Sequence, residues 1–350
     1  MGKTEMGKEH MADYVDVNGR QIRIRTPEVS EIDENGYFRR QSNAFTGHLG
    51  SKEHPVEKGR YILFWSTGCA WSNRAVIVID LLGLSEAVKT EAVDWTDRPE
   101  DLGWEFVHSP GHINPETGAQ FLSELYYNTD GDYKGRTTVP ALVDYRTKTV
   151  VNNDFQMLTV LLETEFSPLH HPEAPDLYPV RQKDKIDRLN SWLYQNVNDA
   201  IYRACFARSV EAYYEGYHTF FDSLSVLNTC LEKQRFLLGD YITDSDIRLF
   251  TTLARLDINY SRHLGPCPGL SDYPNLWDYA RDLYQVPAFR RHTHFQEFAA
   301  RQDSDRRGQN FRFHPYYDMV VPGTDFPKLW SVPAAREKLS SNPSHRFMIK

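Results

Sequence analysis

The sequence predicts a two-part protein, a mixed α/β half followed by an all-helical half. Three observations carry that prediction. An aromatic-rich apolar strand from Tyr61 to Trp65 breaks at Gly68 and passes into a segment with helical spacing: Val76, Ile77, Ile79, Leu81 and Leu82. Two β-patterned runs, 137–144 and 149–152, flank a polar turn at Arg146-Thr147-Lys148. Beyond residue 180, Ile186, Leu189, Leu193, Val197 and Ile201 recur along one helical stripe.

Taken in order, residues 1–55 form a polar, turn-rich N-terminal extension with Phe38-Arg39-Arg40 and Phe45 as anchor points. Residues 56–166 form the first domain. After the 61–65 strand and its helix, 88–93 supplies a second strand, and a long polar insert runs over 95–135. Pro140 interrupts the 137–144 run, which reads either as an edge strand or as a cis-proline turn beside a functional surface. A helix starts near Phe155. Residues 167–180 are a proline-rich linker, and 181–300 are the helical domain. Thr243-Asp244-Ser245-Asp246 has the residues of a capping box, and Leu249, Leu253 and Leu256 supply the buried face behind it. The C-terminal extension, 301–350, reads as coil wrapped on the body.

At 350 residues the chain is long enough for two cores, and its 40% hydrophobic and 25% charged residues are those of an ordinary soluble protein. An aromatic share of 13% points to dense packing or flat apolar ligands. The net charge of −8 argues against nucleic acid as the partner, since phosphate binding needs a basic surface. No run of about 18 apolar residues exists to span a membrane, and the polar N-terminus lacks a signal-peptide core. Cys69, Cys205, Cys230 and Cys267 are too widely spaced for a zinc site or a disulfide scaffold, so a reducing cytoplasm is expected. The histidines show no metal spacing, and no metal is expected.

Cys69 is the candidate reactive residue. A cysteine where a strand turns into a helix sits beside unpaired N–H groups and the positive end of the helix dipole, which favour thiolate over thiol. The other reading is a small buried hydrophobe. Cys205, Cys230 and Cys267 read as structural.

The strand–Cys–helix unit, the Val139-Pro140 turn and the all-helical second half together resemble the cytosolic glutathione transferase fold. More narrowly the chain resembles the glutathionyl-hydroquinone reductases, the Xi class. Matching pieces include Asn35-Gly36-x-Phe38-Arg39-Arg40, Cys69-x-Trp71 with Arg74, Trp104-x-Phe106, Tyr133-x-Gly135-Arg136-x-Thr138-Val139-Pro140, and Val151-Asn152-Asn153. Asp176-Leu177-Tyr178-Pro179, Tyr202-Arg203-Ala204-x-Phe206-Ala207, Leu238-Gly239-Asp240 and Asp272-Tyr273-Pro274-Asn275-Leu276 continue the match, in the family's order, through the helical half.

The resemblance implies a thioredoxin-like N-terminal domain followed by an all-helical glutathione-transferase C-terminal domain, glutathione as co-substrate, an aromatic or quinone substrate, and a homodimer. It implies that Cys69 attacks the glutathione sulfur of a glutathionyl-hydroquinone, releases the hydroquinone, and leaves a mixed disulfide that a second glutathione resolves. Ser72 stands where a resolving cysteine could have been, so free glutathione would do this. Trp104, Arg136, Val139, Pro140 and Asp154 match positions that hold the tripeptide. Val139 would offer its backbone N–H and C=O, Arg136 a two-pronged donor for a carboxylate, and Asp154 an acceptor for the γ-glutamyl amine. Trp71 and Tyr202 would line the ring site. Packing and surface ion pairing are the competing explanations for Trp104, Arg136 and Tyr202.

Four departures from the family pattern gather at the site. Cys-Pro-Trp-Ala-His-Arg reads Cys69-Ala70-Trp71-Ser72-Asn73-Arg74, and Asn-Asn-Glu-Ser reads Asn152-Asn153-Asp154-Phe155. The family's His-Tyr-Tyr element falls near Arg301-Gln302-Asp303, so its second substrate tyrosine is missing, and Phe-Lys-Cys-Asn reads Leu264-Gly265-Pro266-Cys267. Two alternative functions follow: a glutathione S-transferase acting on an electrophile, or a catalytically altered binding protein on the same scaffold.

Overall fold

The structure is a computed structural model and describes residues 13–24, 30–96, 102–298 and 324–349. Its first element is a hairpin, β1 (Asp13–Val17) paired antiparallel with β2 (Arg20–Ile24). The turn is Asn18-Gly19, both at positive φ, and the Asp16 carboxylate accepts the Gly19 N–H at 2.8 Å. Asn-Gly between alternating apolar residues is a strong short-range hairpin signal, and here it places a strand pair inside the polar, turn-rich extension.

The sheet that follows has the order β4-β3-β7-β8. Strand β3 (Tyr61–Trp65) runs parallel to β4 (Val88–Ala92) through the crossover helix α1 (Ala70–Leu81). On its other side β3 pairs antiparallel with β7 (Ala141–Asp144), and β7 with β8 (Thr149–Asn152). All of β3 is buried because both sheet faces are covered. Tyr61, Leu63 and Trp65 pack toward α1, α3 (Leu158–Thr164) and the helical half, while Ile62 and Phe64 face the opposite cluster with Phe106, Leu122 and Tyr126. The edge-strand reading of 137–144 is overturned: β7 has neighbours on both sides, Val139-Pro140 is cis, and the strand begins only at Ala141.

The insert is less polar than expected. It contains the short pair β5 (Asp94–Trp95) and β6 (Trp104–Glu105) and the helix α2 (Leu122–Thr129), and Phe106, Phe121, Leu122 and Tyr126 are fully buried. The first half is thus thioredoxin-like. The second is all-helical: α4 (Lys183–Leu193), α5 (Ala200–Phe206), α6 (Val210–Cys230), α7 (Asp244–Arg255), α8 (Ser261–Leu264), α9 (Pro274–Tyr284) and α10 (Pro287–Arg291). Ile186, Leu193, Val197 and Ile201 are buried as the periodicity predicts, but a π turn over Tyr194–Asn198 divides the stripe between α4 and α5.

Helix α7 joins the halves. Asp246 accepts the Thr243 N–H at 2.8 Å and closes the predicted cap. Arg248 binds the Asp244 carboxylate at 2.6 Å and reaches across to the Gln156 carbonyl and the Thr159 hydroxyl before and within α3. Of the C-terminal extension the described residues, 324–349, lie on the body: Met348 C=O accepts from Asp176 N–H and Arg346 C=O from Ile242 N–H, both at 2.8 Å. The extension also contains a short helix over Phe326–Trp330. Cys230, expected to be structural, is exposed on the last residue of α6, where the helix phase turns it outward. Among the described residues, no helix is long and apolar enough to cross a membrane.

Candidate active site

Cys69 caps α1. Its Sγ accepts the Ser72 N–H at 3.4 Å, and the thiol donates to the Val139 C=O at 3.5 Å. The sulfur is half-buried, held between the first turn of a helix and the peptide before cis-Pro140. The turn that presents it is braced from α7: Arg255, buried, donates to the Thr67 C=O at 3.1 Å and to the Asn73 Oδ1 at 3.1 Å. Asn73 in turn donates to the His292 C=O at 2.6 Å. Asn73 therefore has a structural use here as a donor and an acceptor together.

Around the Val139 edge the structure gathers the other residues expected at the thiol site. Val139 and Pro140 are buried, and Val139 shares an apolar cluster with Cys69 and Trp104. Trp104 lies in β6 against Trp95, ring centroids 5.1 Å apart. Arg136 is partly exposed and its Nη1 is ion-paired to Glu31. Asp154 follows β8, where its Oδ1 accepts from the Gln156 N–H at 3.0 Å and from the Asn43 side chain at 2.9 Å.

On the other side of the sulfur lies an aromatic stack. Trp71 is buried and packs on Phe155 at 4.5 Å, Tyr202 at 5.5 Å and Tyr194 at 6.0 Å. Two guanidinium groups flank its ring, Arg74 at 4.5 Å and Arg40 at 4.8 Å. Arg74 has no carboxylate bonded to it among the described residues, and burial, then Arg248, pushes its guanidinium down to about 9. Arg40 is tied to Asp199 at 3.0 Å and also lies over Tyr202, so the expected anchor reaches the site itself. Phe155, which stands where the family pattern has a hydroxyl, fills the face of Trp71. Burial raises the Tyr202 phenol, and the Cys69 sulfur adds to the same direction.

Besides Arg255, four residues are not signalled by the sequence. Glu31, Gln41 and Asn43 lie in the N-terminal segment, where only the alternation Gln41-x-Asn43-x-Phe45 hinted at an extended strap. Tyr260 closes a second π turn, Leu256–Tyr260, which breaks the helical period that would have placed it. The region of Arg301 to Asp303 lies outside the described residues.

The fold and the capped cysteine beside a cis-proline define a cysteine-bearing protein of the glutathione transferase class. The comparisons agree. Residues 209–282 match the family model for the glutathione S-transferase C-terminal domain. The chain is 36% identical over 292 residues to glutathionyl-hydroquinone reductase YqjG of Escherichia coli K12, covering 80% of this chain and 85% of that one. It is 34% identical over 247 residues to glutathionyl-hydroquinone reductase PcpF of Sphingobium chlorophenolicum, covering 69% and 76%. The glutathione-bound structure of the E. coli protein superposes with a TM-score of 0.72 at 32% identity, over 84% of this chain and 96% of that one. This chain belongs to the glutathionyl-hydroquinone reductases, the Xi class of glutathione transferases.

Proposed function

We propose that this enzyme, with glutathione as co-substrate, reduces glutathionyl-hydroquinones through a Cys69 thiolate. The sulfur attacks the glutathione sulfur of the conjugate. The carbon–sulfur bond breaks, the electron pair passes to the ring carbon, and that carbon takes a proton as the hydroquinone leaves. Cys69 is then in a mixed disulfide. A second glutathione thiolate attacks its glutathione sulfur, releasing glutathione disulfide and regenerating Cys69. The ring carbon gains two electrons, and two glutathione sulfurs, the conjugate's thioether and the free thiol, lose one each as they end in the disulfide, so the cycle balances without another reductant.

The observation that supports this reading is the seat of Cys69 Sγ, between the Ser72 N–H and the Val139 C=O. A peptide thiol pairing with the Val139 backbone would bring its sulfur to that place. The Tyr202 hydroxyl would donate to a ring oxygen as negative charge builds there. Arg136 would meet the glycyl carboxylate and Asp154 the γ-glutamyl amine, with Trp104 closing the tripeptide's side. The same reading takes the protein as a cytoplasmic homodimer, checked by its mass in solution.

The test mixes the protein with the glutathionyl conjugate of menadiol, first without and then with free glutathione. A glutathione adduct on Cys69 by mass spectrometry, then hydroquinone release on adding glutathione, with both lost in Cys69→Ser, is the expected result. Turnover that survives Cys69→Ser overturns it.

A further inference from the structure

Both charged side chains at the thiol site are gripped by one short stretch of the N-terminal extension. Glu31 pairs through Oε2 with Arg136 Nη1, and its Oε1 accepts the Gln41 N–H at 3.2 Å. Gln41 clasps the Arg136 backbone from both sides: its Oε1 accepts the Arg136 N–H at 2.8 Å, and its Nε2 donates to the Arg136 C=O at 3.0 Å. Two residues on, Asn43 donates to Asp154 Oδ1 at 2.9 Å. Two further on, Phe45 exchanges hydrogen bonds with Asn153, its N–H to Oδ1 at 3.0 Å and its C=O from the Asn153 N–H at 2.8 Å. Residues 41, 43 and 45 thus use the period of two of an extended chain to face one edge of the site.

The stretch is itself fixed. Asp33 Oδ1 accepts from the N–H groups of Asn35 and Tyr37, each at 3.0 Å, and Ile32 bridges to Phe38. Gly36 sits at φ +81° with its carbonyl accepting the Arg208 N–H at 2.8 Å, and a Cβ there would lie 2.8 Å from the Arg208 carbonyl carbon. The loop holding Glu31 is therefore seated on the helical half.

Each charged group is only half used. Among the described residues, the Arg136 guanidinium is bonded through Nη1 alone, and Asp154 Oδ2 has no hydrogen bond while Oδ1 has three. A guanidinium fixed on one edge presents its remaining N–H groups in one orientation to a planar carboxylate. A carboxylate fixed through one oxygen presents the other to an ammonium group.

We propose that residues 31–45 form a positioning strap for the thiol, in which Glu31 and Gln41 aim Arg136 at its glycyl carboxylate and Asn43 aims Asp154 at its γ-glutamyl amine. This rests on the roles given above to Arg136 and Asp154. It makes the N-terminal extension a determinant of thiol selectivity.

The experiment compares glutathione with two analogues, one with an amidated glycine and one with a glutaryl group in place of γ-glutamyl. Glu31→Ala raises KM for glutathione about fivefold, with kcat unchanged and KM for the amide unmoved. Asn43→Ala raises KM for glutathione and the amide alike and leaves the glutaryl analogue unmoved. Glu31→Gln, which keeps an acceptor for Arg136, restores part of the affinity and serves if Glu31→Ala folds poorly. A uniform rise across all three thiols in both variants overturns the strap, as does a lower KM for glutathione in Glu31→Ala, which would make Glu31 a competitor. Arg136→Ala separates the two levels. If it leaves the preference for glutathione over the amide intact, the role given to Arg136 fails, whatever Glu31 does.

Discussion

The Tyr260 hydroxyl donates to the Tyr202 hydroxyl at 3.3 Å, with the two rings edge to face at 5.7 Å. Tyr260 is buried, and burial holds its phenol well above the ordinary value, so it remains a donor. A hydroxyl that accepts one hydrogen bond keeps its own proton for another partner. Under the proposed function, Tyr260 would therefore leave the Tyr202 hydroxyl free to donate toward a ring oxygen of the substrate. Tyr260→Phe is expected to lower kcat/KM for the conjugate about fivefold, with a larger fall in Tyr202→Phe. Because the two act through one hydroxyl, the double variant is no worse than Tyr202→Phe. Additive losses in steady-state kinetics would place Tyr260 outside this pair.

Phe155 is a packing residue against Trp71. Its ring also lies 5.5 Å from the Arg40 guanidinium and 6.1 Å from Tyr194. Phe155→Ser opens a cavity beside Trp71 and is expected to cost about 2 kcal/mol of stability, less than a fully buried phenylalanine. Chemical denaturation measures that loss, and KM for glutathione does not rise. A rise in KM at temperatures where the variant stays folded would show that the ring contacts the thiol.

Asp246 is a buried hub rather than a cap alone. It accepts from the Thr243 N–H at 2.8 Å, the Thr243 hydroxyl at 3.0 Å, the Leu237 N–H at 2.9 Å and the Tyr279 hydroxyl at 2.8 Å. Asp246→Ala strands these buried donors and is expected to destabilise by about 3–5 kcal/mol. Asp246→Asn keeps one acceptor and costs less. Urea unfolding of the two variants should rank them in that order, and equal losses would mean the charge, not the acceptors, matters.

His292 and His294 give acid sensitivity at the back of the Cys69 turn. Burial shifts both below their ordinary value of 6.5, opposed by Asp80 for His292 and by Glu297 for His294, while Arg291 and Arg255 respectively add to the downward shift. The unfolded chain then takes up protons at a higher pH than the folded one, so stability falls as pH drops through that window. The melting temperature is expected to be lower at about pH 5.5 than at about pH 7.5, with the gap narrowed by His294→Gln. A gap unchanged in the variant lacking both imidazoles, His292→Gln with His294→Gln, would assign the acid loss to carboxylates.

Much of the fold was legible because local pattern and burial agreed. The β3 strand, the Cys69 turn and the α7 cap each announced themselves through a short run of residues whose chemistry is used within that run. Val139-Pro140 stayed ambiguous in sequence, because a proline is compatible with an edge strand or a cis turn until the neighbouring strands are known. The 95–135 insert looked polar since its buried residues, Phe106, Phe121, Leu122 and Tyr126, are scattered among turn residues without a period. The hairpin at 13–24 is signalled in sequence by Asn18-Gly19 alone, because its strands are short and lie among polar neighbours.

The sequence by itself determined the two-part architecture, the place of Cys69 where a strand turns into a helix, and the family. Those depend on contacts close in the chain or on motifs whose order is preserved. Only the tertiary structure decided what surrounds the sulfur. Glu31 meets Arg136 across 105 positions and Asn43 meets Asp154 across 111. Arg255 braces the Thr67 carbonyl from 188 positions away, and Tyr260 reaches Tyr202 from 58. Such pairs leave no periodic trace, because each is made by two elements whose approach is set by the packing of the whole core.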